Sequence, residues 1–190
     1  MGTAKGERRR AELVTAAAAL LRAGGFDAVR HRAVAERAGL PLASTTYYFA
    51  SLDELVTAAA ERTSRDELTE GRDQLAALGE GPVDRGELVE LVIDQLLGPE
   101  SRASGLDAVL LRYERLVGAG RRPYLAPLMR ELRGELDALL GALLARGGRA
   151  LVGAELRDLV SLVDGAVISA LIEADPDPRA AARAVLRRVL

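Results

Sequence analysis

Apolar residues recur at three- and four-residue spacing along this whole chain, and no stretch alternates apolar with polar convincingly. A 3.6-residue period without a two-residue one admits helices and leaves no amphipathic strand to build a sheet, so the fold class is all-α. The first helical pattern runs from roughly Lys5 to Ala23, with its apolar stripe on Leu13, Ala17, Leu20 and Leu21, and Gly24-Gly25 ends it. Further patterns span about 84–97, 106–117, 123–146, 154–174 and 178–190, each bounded by glycine or proline.

Residues 26–55 are the most informative segment. Two short helical patterns are broken at Gly39, and a third begins after Phe49. Val34, Ala35 and Ala38 give the first of these an inward face, Gly39 allows the sharp turn, and Leu40 plugs the small core. Pro41 has no amide to lose and suits the first turn of the next helix, about Leu42 to Tyr48. That helix is almost uncharged and carries hydroxyls on Ser44, Thr45, Thr46, Tyr47 and Tyr48, which can reach phosphate oxygens or base edges. Leu42 or Ala43 could meet a thymine methyl. Ser51-Leu52-Asp53-Glu54 reads as a capping box that opens a helix running to about Leu78, closed by Glu80-Gly81-Pro82. The layout is that of a helix-turn-helix, which lays one helix in the major groove of DNA.

Charge is distributed to match. The whole chain is at -2, yet residues 1–50 hold eight basic groups against four acids, which makes that part +4 and the remainder -6. A basic head on an acidic body suits a protein that meets phosphate at one end only. There is no cysteine and a single histidine, His31, so no disulfide framework, thiolate metal site or catalytic triad is expected, nor any cofactor. The N-terminal ten residues lead into no signal-type apolar run, and the uncharged stretch from Gly165 to Ile172 falls far short of the ~20 residues that span a bilayer. A cytoplasmic protein without a membrane partner is the expectation.

Four stretches, taken in order, resemble the DNA-binding domain of the tetracycline-repressor (TetR) family. They are Ala16-Ala-Ala-Ala-Leu-Leu-Arg-Ala-Gly-Gly-Phe26, Arg32-Ala-Val-Ala-Glu-Arg-Ala-Gly39, Ser44-Thr-Thr-Tyr-Tyr-Phe49 and Ser51-Leu-Asp-Glu-Leu55. The resemblance covers about a third of the chain. It implies a three-helix helix-turn-helix head over 7–67, joined to a helical effector-binding and dimerisation body over 68–190. It further implies that Arg32 contacts phosphate and that Leu42, Ala43, Ser44, Thr46, Tyr47 and Tyr48, after Pro41, face DNA. Two positions depart from the family pattern: Leu42 stands where a polar residue is common, and Leu52 replaces a phosphate-gripping lysine. Arg30 and His31 are the residues expected to compensate, while Phe26 and Phe49 are expected in the core.

In the body, the helix over 154–174 is apolar on two sides. Leu159, Val163, Ala166, Val167 and Ala170 form one face, and Gly165, Ile168 and Ile172 the other. A helix apolar on two sides must be covered on two sides. The resemblance implies a homodimer formed through a four-helix bundle, and Gly165, Ile168 and Ile172 with Val185 and Val189 of the last helix are the candidate interface. The family's body also implies a small-molecule pocket. Polar groups on or beside apolar stripes are candidates to orient an effector there: Gln95, Tyr113 and Tyr124. The reading is a DNA-binding transcriptional regulator and not an enzyme, a repressor released from a palindromic operator by a small-molecule effector. The alternative is a helical homodimer that binds a ligand or protein with a head that no longer reads DNA.

Overall fold

A computed structural model of the chain describes residues 4–81 and 83–190; Met1–Thr3 and Pro82, including the proline expected to help close the fourth helix, lie outside the described residues. Every regular element among the described residues is helical. In chain order they are α1 (Ala4–Ala28), α2 (His31–Ala38), α3 (Leu42–Tyr48), α4 (Leu52–Ala77), α5 (Arg85–Leu97), α6 (Ser101–Ala119), a 3₁₀ turn (Pro123–Leu125), α7 (Ala126–Arg146), α8 (Gly153–Ile172) and α9 (Pro178–Val189).

Punctuation by glycine and by capping side chains accounts for most of these boundaries. Gly24 and Gly25 leave the helical region, with Gly25 at φ 66, so α1 breaks where the glycine pair stands and one further turn reaches Ala28. Gly39 is left-handed at φ 65, and its amide with that of Leu40 bonds back to Glu36 and Ala35, closing α2. Asp84 and Asp177 cap α5 and α9 by accepting the amides of Glu87 and Ala180. The Ser51 hydroxyl accepts the Glu54 amide at 3.1 Å, and the Glu54 carboxylate accepts the Ala50 amide at 2.8 Å, which sets the start of α4. Gly105, at φ 49, breaks α6 one turn after its start. This turn precedes the pattern expected from 106, because a glycine kink ends a hydrophobic period without ending hydrogen bonding.

The chain forms two compact units. The first comprises residues up to Asp66 together with Glu114–Arg130, and the second Glu67–Tyr113 with Glu131–Leu190. In the first, Leu13, Ala17, Leu21, Val29, Val34, Phe49, Leu55 and Ala59 make a core that Ala119 and Leu125 complete, with Leu128 and Met129 packed against it. The sequence reading puts the head over 7–67 and the body over 68–190. Residues 114–130, however, were expected in the body and pack with the head, since the faces of Ala119 and Leu125 are buried there. In the second unit α8 and α9 pack together and α9 also lies on α5, over a core that includes Leu88, Val92, Ile93, Leu139, Leu143, Leu159, Val163, Val167, Ala182 and Leu186.

Charges are built into that second core. Arg179, only 5% exposed, donates to Asp94 at 2.9 Å, to Ser101 at 2.6 Å and to Glu90 at 2.6 Å. Arg102 grips Asp94 through two nitrogens, and Arg183 donates to Glu90 at 2.5 Å. Burial alone would raise the Glu90 carboxyl, but hydrogen bonds from Arg183 and Arg179 and their charges outweigh it and hold the pKa at about 2. Two acids and three arginines from three helices thus satisfy one another, which a buried charge requires.

Candidate nucleic-acid interface and ligand-binding residues

α3 is seven residues long, and its two sides differ sharply. Thr45 is fully buried and its hydroxyl donates to the Leu42 carbonyl at 2.8 Å, so it faces the head core and leaves the set of hydroxyls expected to reach DNA. On the other side Leu42 is 52% exposed and Tyr47 80% exposed, with Ala43 and Thr46 beside them. The Thr46 hydroxyl bonds the Ala43 carbonyl at 3.2 Å, while Ser44 is half-buried. Tyr48 is half-buried against the core, and its ring meets that of Tyr47 edge-on at 4.8 Å. Tyr48 thus supports the outward Tyr47 ring. Pro41, exposed, stands one position earlier than expected: it is the N-cap of α3 with extended ψ of 144, and its carbonyl accepts the Ser44 amide.

Cationic groups flank this helix. Arg30, at the N-cap of α2, bonds the Asp27 carbonyl at 3.0 Å through Nε, leaving its outer nitrogens toward solvent. Arg32 is exposed on the first turn of α2. His31 is half-buried, and its Nδ1 is enclosed without a hydrogen bond, so any polar contact it makes falls to Nε2. Leu52 is partly exposed at the first position of α4 and brings no charge there. Arg10 was not anticipated. Its guanidinium lies 4.9 Å from the Phe49 ring centre and 3.9 Å from Glu54, close to the end of α3.

The three expected effector residues each have a partner of their own. Gln95 is buried on α5 and donates to Gln74 at 3.1 Å. Tyr113 is buried on α6, and its hydroxyl donates to the Asp164 carboxylate of α8 at 2.7 Å. Burial first, then the charge and hydrogen bond of Asp164, push the Tyr113 hydroxyl far above its usual range, so it stays a donor. Gln95 and Tyr113 belong to the second unit, but Tyr124 belongs to the first. Burial and a bond to Asp53 raise the Tyr124 hydroxyl, with Arg122 opposing. The apolar stripe beside Tyr124 packs into the head, through Leu125, Leu128 and Met129, and carries the tyrosine with it.

α8 has the expected two faces. Leu159, Val163, Val167 and Ala170 are buried, while Gly165 opens onto free space and Ile168 and Ile172 are 42% and 79% exposed. Leu162, also exposed, extends that outer face and was not anticipated. Val185 and Val189 of α9 are half-buried.

Comparison with known proteins agrees with this geometry at both ends of the chain. Residues 13–59 match the family described as bacterial regulatory proteins, tetR family, and residues 83–190 match the tetracyclin repressor-like C-terminal domain. No curated protein matches the chain. Among solved structures, the multidrug binding protein EbrR complexed with proflavin is 31% identical over 96% of this chain and 99% of its own, with a TM-score of 0.66. Its ethidium complex gives the same identity and TM-score over 96% and 98%. A TetR-family member from Streptomyces coelicolor A3, SCO1917, is 33% identical over 96% of this chain and 98% of its own, with a TM-score of 0.63. With a DNA-binding helix-turn-helix at one end and a matched regulatory domain over more than half its length, this chain belongs to the TetR family of transcriptional regulators.

Proposed function

We propose that the protein is a dimeric repressor whose two α3 helices enter successive major grooves of a palindromic operator and whose second unit takes a small-molecule effector. The observation that carries this reading is the division of α3: Thr45 is locked inward, while Leu42, Ala43, Thr46 and Tyr47 are presented outward on a rigid turn fixed by Gly39. Arg30 and Arg32 would hold the head on phosphate, which positions without specifying. His31, Ser44 and Tyr48 are the less exposed members of the same surface.

Dimerisation falls to the outer face of α8, Gly165, Ile168 and Ile172 with Leu162, continued by Val185 and Val189. Large side chains left open on one helix face form a patch that needs cover. Release follows if the effector binds preferentially to a state whose head spacing no longer fits the groove; a ligand with equal affinity for both states would switch nothing. EbrR has been seen with proflavin and with ethidium, and that likeness supports a small organic effector. The match over 13–59 does not favour a head that has lost DNA reading.

Selection from random duplexes tests the reading. It should enrich an inverted repeat whose half-sites lie about one helical turn, roughly 34 Å, apart or a multiple of that. A pool that stays random, with binding that depends on salt alone, would overturn it.

A further inference from the structure

Resting on the reading of a ligand-responsive regulator, we propose that Asp164 with Tyr113 forms the polar end of the effector site and that the effector is an organic cation. The second unit pairs its other buried or partly buried helical carboxylates with arginine. Asp94 is held by Arg102 and Arg179, Glu90 by Arg179 and Arg183, Glu67 by Arg112, Glu135 by Arg72 and Asp137 by Arg133. Asp164 is half-buried as well, yet its partner is the neutral Tyr113 hydroxyl at 2.7 Å, and no cation pairs with it among the described residues. Arg112, whose charge acts on the Tyr113 hydroxyl, is engaged with Glu67 at 2.6 Å and with the carbonyls of Leu96 and Gln95.

Sequence context makes Asp164 stand out further. It is the one charged residue in Leu159–Ile172, a run of otherwise apolar or small residues whose Val160, Val163 and Val167 are buried around it. A carboxylate set beside apolar side chains, with a neutral donor on one oxygen, has its second oxygen left to meet a ligand. Tyr113 cannot neutralise it, because burial and the adjacent charge keep the phenol protonated. Apolar neighbours around one oriented carboxylate favour a hydrophobic molecule bearing a positive charge, since that charge loses water on binding and the carboxylate is what compensates it. One carboxylate and one phenol offer too few ligands for a metal ion.

Fluorescence titration with ethidium, a permanent cation, against neutral phenanthridine of similar ring shape reads the charge requirement without DNA present. Saturable ethidium binding to the wild type is expected. Asp164→Asn keeps an oxygen to accept the Tyr113 hydroxyl but removes the charge, and should weaken ethidium about tenfold or more while leaving phenanthridine unchanged. Asp164→Glu should retain ethidium binding, and Tyr113→Phe, which frees the carboxylate without discharging it, should cost less than Asp164→Asn. The thermal midpoint of each variant, equal to the wild type, shows that the fold is intact. Ethidium affinity unchanged in Asp164→Asn, or lost only together with the fold, overturns the proposal. No saturable binding by the folded wild type overturns it too, and operator selection then decides separately whether the regulatory reading stands.

Discussion

Tyr47→Phe isolates one oxygen at the proposed DNA surface. The side chain is 80% exposed, its ring is propped edge-on against Tyr48, and its hydroxyl makes no hydrogen bond among the described residues. Removing that oxygen should therefore leave the thermal midpoint within about 2 °C of wild type, since exposed substitutions away from special features change stability by about 0.5 kcal/mol at most. On the operator the expectation differs. One neutral hydrogen bond is worth roughly 0.5–1.5 kcal/mol net, and a two-fold dimer presents Tyr47 twice. The loss per operator is then about 1–3 kcal/mol, or roughly 5- to 150-fold in affinity. Fluorescence anisotropy with a labelled selected site, at fixed salt, measures it. Thr45→Val is the internal contrast: deleting the inward hydroxyl bond to Leu42 should lower stability by about 1 kcal/mol and affect affinity only through it. Unchanged operator affinity for Tyr47→Phe, or an earlier melt with normal affinity, would place the groove-facing side of α3 elsewhere.

Ile168→Glu sets a carboxylate on the outer face of α8, where Ile168 is exposed in a single chain; the variant should fold but weaken self-association by about 100-fold or more, because an unpaired charge cannot be buried cheaply against a second copy. Light scattering at micromolar concentration checks this, and a monomeric wild type would refute the interface. Glu90 predicts acid sensitivity: its folded pKa of about 2 lies below the ordinary 4.5, so its contribution is fully present above about pH 4.5 and lost as pH falls toward 2. That drop corresponds to roughly 3 kcal/mol at full weight, and screening of a carboxylate that solvent still reaches leaves about 1–2 kcal/mol. Urea unfolding of Glu90→Gln at pH 6 and pH 3 should show a smaller acid-induced loss than wild type, and an equal loss would assign it to other groups.

Local signals in the chain were legible because their physics is local. Gly39, the Ser51 and Glu54 box, and the glycine pair at 24 and 25 act within a few residues, and each does in the fold what its chemistry suggests. Which partner an apolar stripe meets is a long-range fact that periodicity does not encode. Leu125 and Tyr124 therefore read as body residues, and Tyr124 instead meets Asp53 at the start of α4. Arg179 shares a helical stripe with Ala182 and Leu186, and an arginine in that position was the available sign of a buried ion network. Asp164, alone in an apolar run, was the available sign of the Tyr113 partner. Neither hydrogen-bond partner could be named without the tertiary fold, since the pairs lie 89 and 51 residues apart.

The head's dependence on Ala119, Leu125, Leu128 and Met129 bears on how regulators of this kind can be recombined. A chimera that joins residues 1–66 to a foreign body at a single junction would inherit DNA-reading side chains without the plug beneath them. A fully buried leucine left unreplaced opens a cavity worth about 2–5 kcal/mol, a large part of what holds a small domain together. Exchange of specificity between relatives then calls for a two-piece graft, the N-terminal segment along with Glu114–Arg130, or for a transfer confined to the outward residues of α3.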